Sequence, residues 1–183
     1  MRLLTLILAL LLTGCGRAAI DGIQSQPLTA NAILSQTSAL ALAVNPQARF
    51  YLLVGHQIAP DGTIDGAAGG YWVANYFIAA ANPQQRTRLS YKVGPDDLPV
   101  LTRQDAAPMP SGYCFVTPQP PQFDSSSILQ GVHSQGLFVG QDVPEVQLYS
   151  PLEAKYFGKL LYYVGDTPPN LAVLDANTGT NAG

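Results

Sequence analysis

The chain has 183 residues, 47% of them apolar and only 11% charged, with nine Lys and Arg against twelve Asp and Glu for a net charge of −3. A mildly acidic chain without a basic stripe lacks the electrostatic footprint of nucleic-acid binding, and its charge does not draw it to an anionic membrane surface. The apolar share excludes disorder throughout, and the length suits one domain or two small ones.

One cation, Arg2, precedes an uncharged apolar run over residues 3–12. Ten residues of helix rise about 15 Å, about half the thickness that a membrane span must cross. The run therefore predicts the apolar region of a cleaved export signal. The next residues, Leu12-Thr13-Gly14-Cys15, resemble the lipobox of bacterial lipoproteins: an aliphatic residue, two small ones that let a peptidase reach the backbone, then cysteine. The resemblance implies cleavage before Cys15 and acylation of its thiol. It also implies an exported body anchored to a bacterial membrane, since two or three acyl chains hold stably where one does not. Gly16, rather than Asp, at the following position is similar to the outer-membrane sorting case of Gram-negative bacteria. Residues 1–14 are thus the expected signal peptide, and 15–26 the lipidated cysteine and a short tether. An ordinary secretory signal with an incidental Cys15 is the competing explanation.

Residues 27–94 predict a first helix-plus-sheet module. A helix over about 27–44 presents Ile33, Thr37, Leu40, Ala41 and Val44 as one stripe, with Thr29 or Ser25 able to cap it. Asn45-Pro46 stops it, because proline disfavours helical geometry at the preceding residue. A strand follows over 49–58, its alternation placing Phe50, Leu52, Val54, His56 and Ile58 on one apolar face. Pro60-Asp61-Gly62-Thr63 reads as a turn. A Gly-rich loop then leads to an aromatic strand over 71–78, and a third strand over 87–93 turns Leu89, Tyr91 and Val93 inward.

Residues 95–123 hold seven prolines and predict a stiff connector rather than long regular elements. Residues 124–183 repeat the first order. Asp124 or Ser125 caps a short helix carrying Ile128, Leu129 and Val132, and Gly136 ends it. A strand over 146–149 and a hairpin of 159–164 with 171–175 complete the second module. The expected fold class is α+β, with each module a helix packed on a small antiparallel sheet. Neither module buries much alone, so pairing of the two sheets, or packing of one helix against the other module, is expected to help.

Several residues carry a family resemblance: Asn45-Pro46-Gln47-Ala48 and Trp72 in the first half, then Asp124-Ser125, Tyr162-Tyr163-Val164-Gly165 and Leu174-Asp175-Ala176-Asn177-Thr178-Gly179 in the second. Their order is similar to that of cystatin-like folds that include PepSY domains. The final aspartate-alanine-x-threonine-glycine turn resembles the PepSY ending most closely. The resemblance implies secreted or envelope-held binding modules, some of which regulate peptidases.

The chemical inventory is thin. His56 and His133 are the only imidazoles and fall in different modules; His56 is expected in the core, and His133 near a helix C-terminus, where it suits the dipole. Cys114, within an apolar stretch, reads as a structural thiol with no cation beside it to lower its pKa. Asp61, Asp65, Asp96 and Asp97 read as turn residues, because calcium asks for six to eight oxygens in one dense loop. Residues 66–70 lack the Lys and Ser/Thr of a phosphate loop. No metal or cofactor is expected.

Tyr71 and Trp72 are adjacent on one strand and must face opposite ways. Where one sheet face is uncovered, one of the two is exposed, as recognition surfaces often show. The expected function is a non-enzymatic envelope lipoprotein that binds a protein or peptide, with no nucleic-acid partner. A structural or assembly role in an envelope complex, or a Cys114-dependent enzyme, are the alternatives.

Overall fold

The computed structural model describes residues 27–80, 82, 86–95, 98–116, 120–165 and 167–182. The expected signal peptide, tether and Cys15 lie outside the described residues, as do Asp96, Asp97 and part of the Pro-rich connector. Among the described residues, no helix is long and apolar enough to cross a membrane.

The elements in chain order are α1 (Ala30–Val44), β1 (Arg49–Ile58), β2 (Tyr71–Ile78), β3 (Thr87–Val93), β4 (Val100–Ala106), α2 (Ser125–Ser134), β5 (Val143–Tyr149), β6 (Leu161–Val164) and β7 (Ala172–Asp175). All seven strands join one antiparallel sheet in the order β4-β3-β2-β1-β5-β6-β7. The fold is α+β. The order helix, then meander, occurs twice, but the halves do not keep separate sheets. Their first strands, β1 and β5, pair at the centre, with Leu53 opposite Leu148 and Gly55 opposite Val146.

The expectation of an irregular connector is corrected over residues 100–106. β4 lies inside the stretch read as a connector and pairs with β3 from Thr87↔Ala106 to Lys92↔Val100. Prolines flank it at 95, 99, 108 and 110, yet none falls within 100–106, so every amide of the strand is free to donate. Its side chains are almost all exposed, and the apolar alternation that marks a half-buried strand is absent.

Both helices cover the same face. Ile33, Leu34 and Ala41 of α1 and Ile128, Leu129 and Val132 of α2 meet Phe50, Leu53, Trp72, Tyr76, Leu89, Val146, Leu148, Tyr162 and Leu174 in one buried cluster. Gly55 belongs to this face because only a hydrogen fits: a Cβ there would come within 2.5 Å of the Trp72 ring. Trp72 is itself fully buried and donates from Nε1 to the Leu28 carbonyl at 3.0 Å.

The two helix N-termini are tied together. Thr29 occupies the N-cap position of α1 but makes no side-chain cap. Caps come instead from the other half of the chain: Ser125 Oγ accepts from the Ala30 amide at 3.0 Å, and Asp124 Oδ1 from the Asn31 amide at 2.9 Å. Asp124 Oδ1 also accepts from Ser125 N at 2.7 Å at the start of its own helix. Each contact satisfies an amide that a helix cannot bond internally. Ser125 Oγ donates to the Gly62 carbonyl at 2.7 Å, locking the 60–63 turn beneath α2. Gly62 has φ +86° there, and a Cβ would lie 2.4 Å from the Ser126 nitrogen, so no other residue fits.

Candidate functional site

Both helices lie on one face, and among the described residues no helix covers the other; residues 113–116 slot between the start of β1 and the end of β5 and carry Tyr113 and Phe115 on that open side. Phe50 pairs with Val116 through reciprocal backbone bonds, and the Cys114 amide donates to the Ser150 carbonyl at 2.7 Å. The aromatic side chains of this segment join a chain of rings on that side. Phe115 contacts Phe77 at 5.2 Å and Tyr51 at 5.9 Å between ring centroids, and Tyr113 contacts Tyr51 at 5.6 Å and Tyr149 at 5.2 Å. Tyr149 then stacks on Tyr163 at 4.6 Å, the rings only 8° from parallel. Six linked rings of this kind give a rigid apolar ridge, since aromatic pairs add to plain area burial.

The ridge runs along one end of the open face. Beyond it lie Val54, Val73, Gln147 and Val173, all half-buried. At the far end His56 and Tyr71 pack at 4.8 Å, Lys92 Nζ sits 3.7 Å above the Tyr71 ring, and His56 Nδ1 lies 3.7 Å from Glu145 Oε2. Glu145 in turn accepts from Gln147 Nε2. Towards β4, Arg88 pairs with Asp105 at 3.3 Å and Arg103 pairs with it at 2.7 Å. Those two guanidiniums, Arg103 first, hold the Asp105 carboxyl below its ordinary range.

Tyr71 and Trp72 face opposite ways: Trp72 is fully buried in the core, which removes it from the candidate binding surface, and Tyr71 is half-buried on the open face. The expectation for His56 is corrected. A bulge at Tyr51 places two residues of β1 opposite one of β2, so Phe50 pairs with Tyr76 but Leu52 with Asn75. A bulge shifts the side-chain phase by one residue. Phe50, Leu53 and Gly55 therefore share the helix face, and Val54 and His56 turn to the open one.

Several hydroxyls on the ridge are perturbed. Burial pushes Tyr163 up, and its neighbour Tyr149 adds to the rise. Burial likewise raises Tyr149, with the Tyr163 hydrogen bond opposing. Tyr51 is raised by burial against a lowering contribution from Arg88. All three stay neutral donors at ordinary pH.

Elsewhere the chemistry is local. Cys114 is half-buried, and its thiol donates to the Pro151 carbonyl at 3.5 Å. His133 sits in the last turn of α2. Asp61 accepts from Thr63 N and Oγ1, and Asp65 from the amides of Ala67 and Ala68, as turn residues do. Those amides, Ala68 first, and the contact with Asp142 hold Asp65 low; burial and then Asp65 push Asp142 up. Among the described residues, no group of three His, Cys, Asp or Glu side chains gathers as a metal site would need. A cavity of about 220 Å³ lies against the Pro-rich segment, lined by Val116, Pro120, Pro121, Ser150, Gly158, Leu160 and Asn177. It presents no titratable side chain.

Compared with known protein families, with characterised proteins and with solved structures, the chain finds no match.

Sequence reasoning missed most of the ridge. Tyr113 and Phe115 fell in the stretch read as connector, and only their apolar neighbourhood hinted at packing. Tyr149 was placed on a strand, but nothing local to it or to Tyr163 announces a stack across two strands.

Proposed function

We propose that this chain is a lipid-anchored lipoprotein of a bacterial envelope whose folded body is a non-enzymatic binding module for a protein or peptide. Its two helix-plus-meander halves are read as PepSY-like or cystatin-like units fused through one sheet, and Cys15 as the acylated residue. One observation carries the binding role. The sheet face opposite the helices keeps Tyr71, Tyr149, Tyr163, Val54, Val73 and Val173 half-buried, with aromatic rings fixed by their neighbours. Rigid aromatics can be desolvated by a partner without a large loss of side-chain entropy, which is why they dominate interfaces. Polar groups at the rim, namely Gln147, Glu145, His56 and Lys92, supply directional contacts.

The test has two arms. Cells fed labelled palmitate incorporate it into the native chain but not into Cys15→Ala, which is released from the membrane fraction. Separately, envelope crosslinking captures a partner with the native chain and loses it with the double variant Tyr71→Ala, Tyr163→Ala, while fluorescence of the buried Trp72 stays native. An unlabelled native chain defeats the anchor. Capture unaffected by the double variant defeats the assignment of the open face.

A further inference from the structure

The two edges of the sheet are finished differently. Beyond β7 the chain turns at Gly179 and returns alongside that strand. The Asp175 amide donates to the Thr180 carbonyl at 2.9 Å, Ala182 N–H donates to the Val173 carbonyl at 2.8 Å, and Asn181 bridges Leu174. β4 has no such cover among the described residues, and all its residues but Asp105 are exposed. Just past the strand, the Ala107 amide donates to the Arg86 carbonyl. Backbone groups alternate in direction along an antiparallel strand. Arg103 and Asp105 therefore also aim theirs at β3, while Gln104 and Ala106 aim theirs outward.

Unpaired edges invite added strands, and charged side chains normally discourage them. On β4 the two charges are opposite in sign and stand symmetrically on either side of Gln104. We infer that β4 pairs antiparallel with β4 of a second copy of this chain, about a two-fold axis through Gln104. Arg103 of each copy then faces Asp105 of the other on the open-face side of the sheet. Opposite charges directly across a ladder attract and like charges repel, so the pattern that wards off an unrelated strand accepts its own. Each Asp105 lies among Arg88 and Arg103 of its own copy and Arg103 of the other. Val100 and Leu101, 58% and 41% exposed, lie beyond the Thr102 bulge, which reverses their phase, so they stay outside this ladder. The bulge between Leu101 and Arg103 limits the ladder on each side. The joined surface is small, below roughly 1,200 Å², which makes a weak contact favoured by high local concentration.

Cysteine crosslinking of the full chain in cells tests this. A hydrogen-bonded antiparallel pair sits about 5.5 Å apart between Cα atoms, inside the span that a disulfide bridges. Under mild oxidation, Gln104→Cys gives a disulfide dimer on non-reducing gels. The native chain, carrying Cys15 and Cys114, is the control, and Ala106→Cys, which faces Thr102 rather than itself, gives little. In the Gln104→Cys chain, Arg103→Asp and Asp105→Arg each lower the yield about tenfold, because every cross-strand pair becomes like-charged. Co-expression of those two variants under different tags restores a mixed dimer, since one copy presents two acids to the two bases of the other. Fluorescence of Trp72 in each chain shows that the exposed changes leave the fold in place. Equal crosslinking by Gln104→Cys and Ala106→Cys, or failure of the mixed pair to recover, overturns the inference. Neither result depends on whether the open face binds a partner.

Discussion

Asp124 offers a direct measure of how the two halves of the chain depend on one another. Its Oδ1 accepts the Asn31 amide of α1 at 2.9 Å and the Ser125 amide of α2 at 2.7 Å, across 93 residues in the first case. Removing a helix cap costs about 1 kcal/mol. Asp124→Ala removes two at once, so the expected loss is about 2 kcal/mol. For a chain of this size that corresponds to a fall in Tm of about 4–8 °C. Asp124→Asn keeps an acceptor oxygen in place and gives up only the favourable charge at two helix N-termini, about 1 kcal/mol in sum. Urea unfolding followed by Trp72 fluorescence is a suitable assay, because that residue is the single tryptophan and is fully buried. A loss under about 0.5 kcal/mol for Asp124→Ala would refute the shared cap, since neither bond then stabilises the fold. Equal losses for Ala and Asn would show that the charge, not the oxygen's position, matters.

Three further outcomes follow from the packing. Gly55→Ala drives a methyl against the Trp72 ring from 2.5 Å and is expected to cost about 1–3 kcal/mol in urea unfolding; a neutral result would mean that the ring shifts freely. The Tyr76 hydroxyl, held by Thr37 and Ser38 at 2.8 and 3.0 Å, is pushed up to about 12 by burial. The neutral phenol is thus the form the fold prefers, so its contribution is whole below pH about 10 and fades as pH rises towards 12, by about 2–3 kcal/mol. Tyr76→Phe should flatten that alkaline decline in a pH series of unfolding midpoints, and an unchanged slope would assign the decline to other groups. Tyr163→Ala, at the half-buried end of the ridge, is expected to weaken partner capture much more than it lowers Tm.

Much of the local structure was legible because periodicity and punctuation are local. Thr29 ahead of an apolar stripe, Asn45-Pro46 behind it, and the alternation of Leu89, Tyr91 and Val93 located α1 and β3 closely. Asp124 before Ile128, Leu129 and Val132 located α2. The opposed directions of Tyr71 and Trp72 followed from strand geometry alone.

What was not legible depended on partners far along the chain. Alternation within 49–58 cannot reveal that Tyr51 is an extra residue, because a bulge is defined against the neighbouring strand. Within its own strand His56 therefore reads as core, whereas it lies on the open face. β4 is exposed on both sides, so it carries no apolar rhythm, and only its pairing with β3 makes it a strand. Local sequence offers Thr29 or Ser25 as the α1 cap, yet Asp124 and Ser125 supply it. The sequence by itself determined both helices, every strand but β4, and the opposite facing of Tyr71 and Trp72. Tertiary structure alone decided that β1 meets β5, that both helices take one face, and that the aromatic ridge is left on the other. Those choices minimise exposed apolar area and unsatisfied amides across the whole fold, and no local window contains that sum.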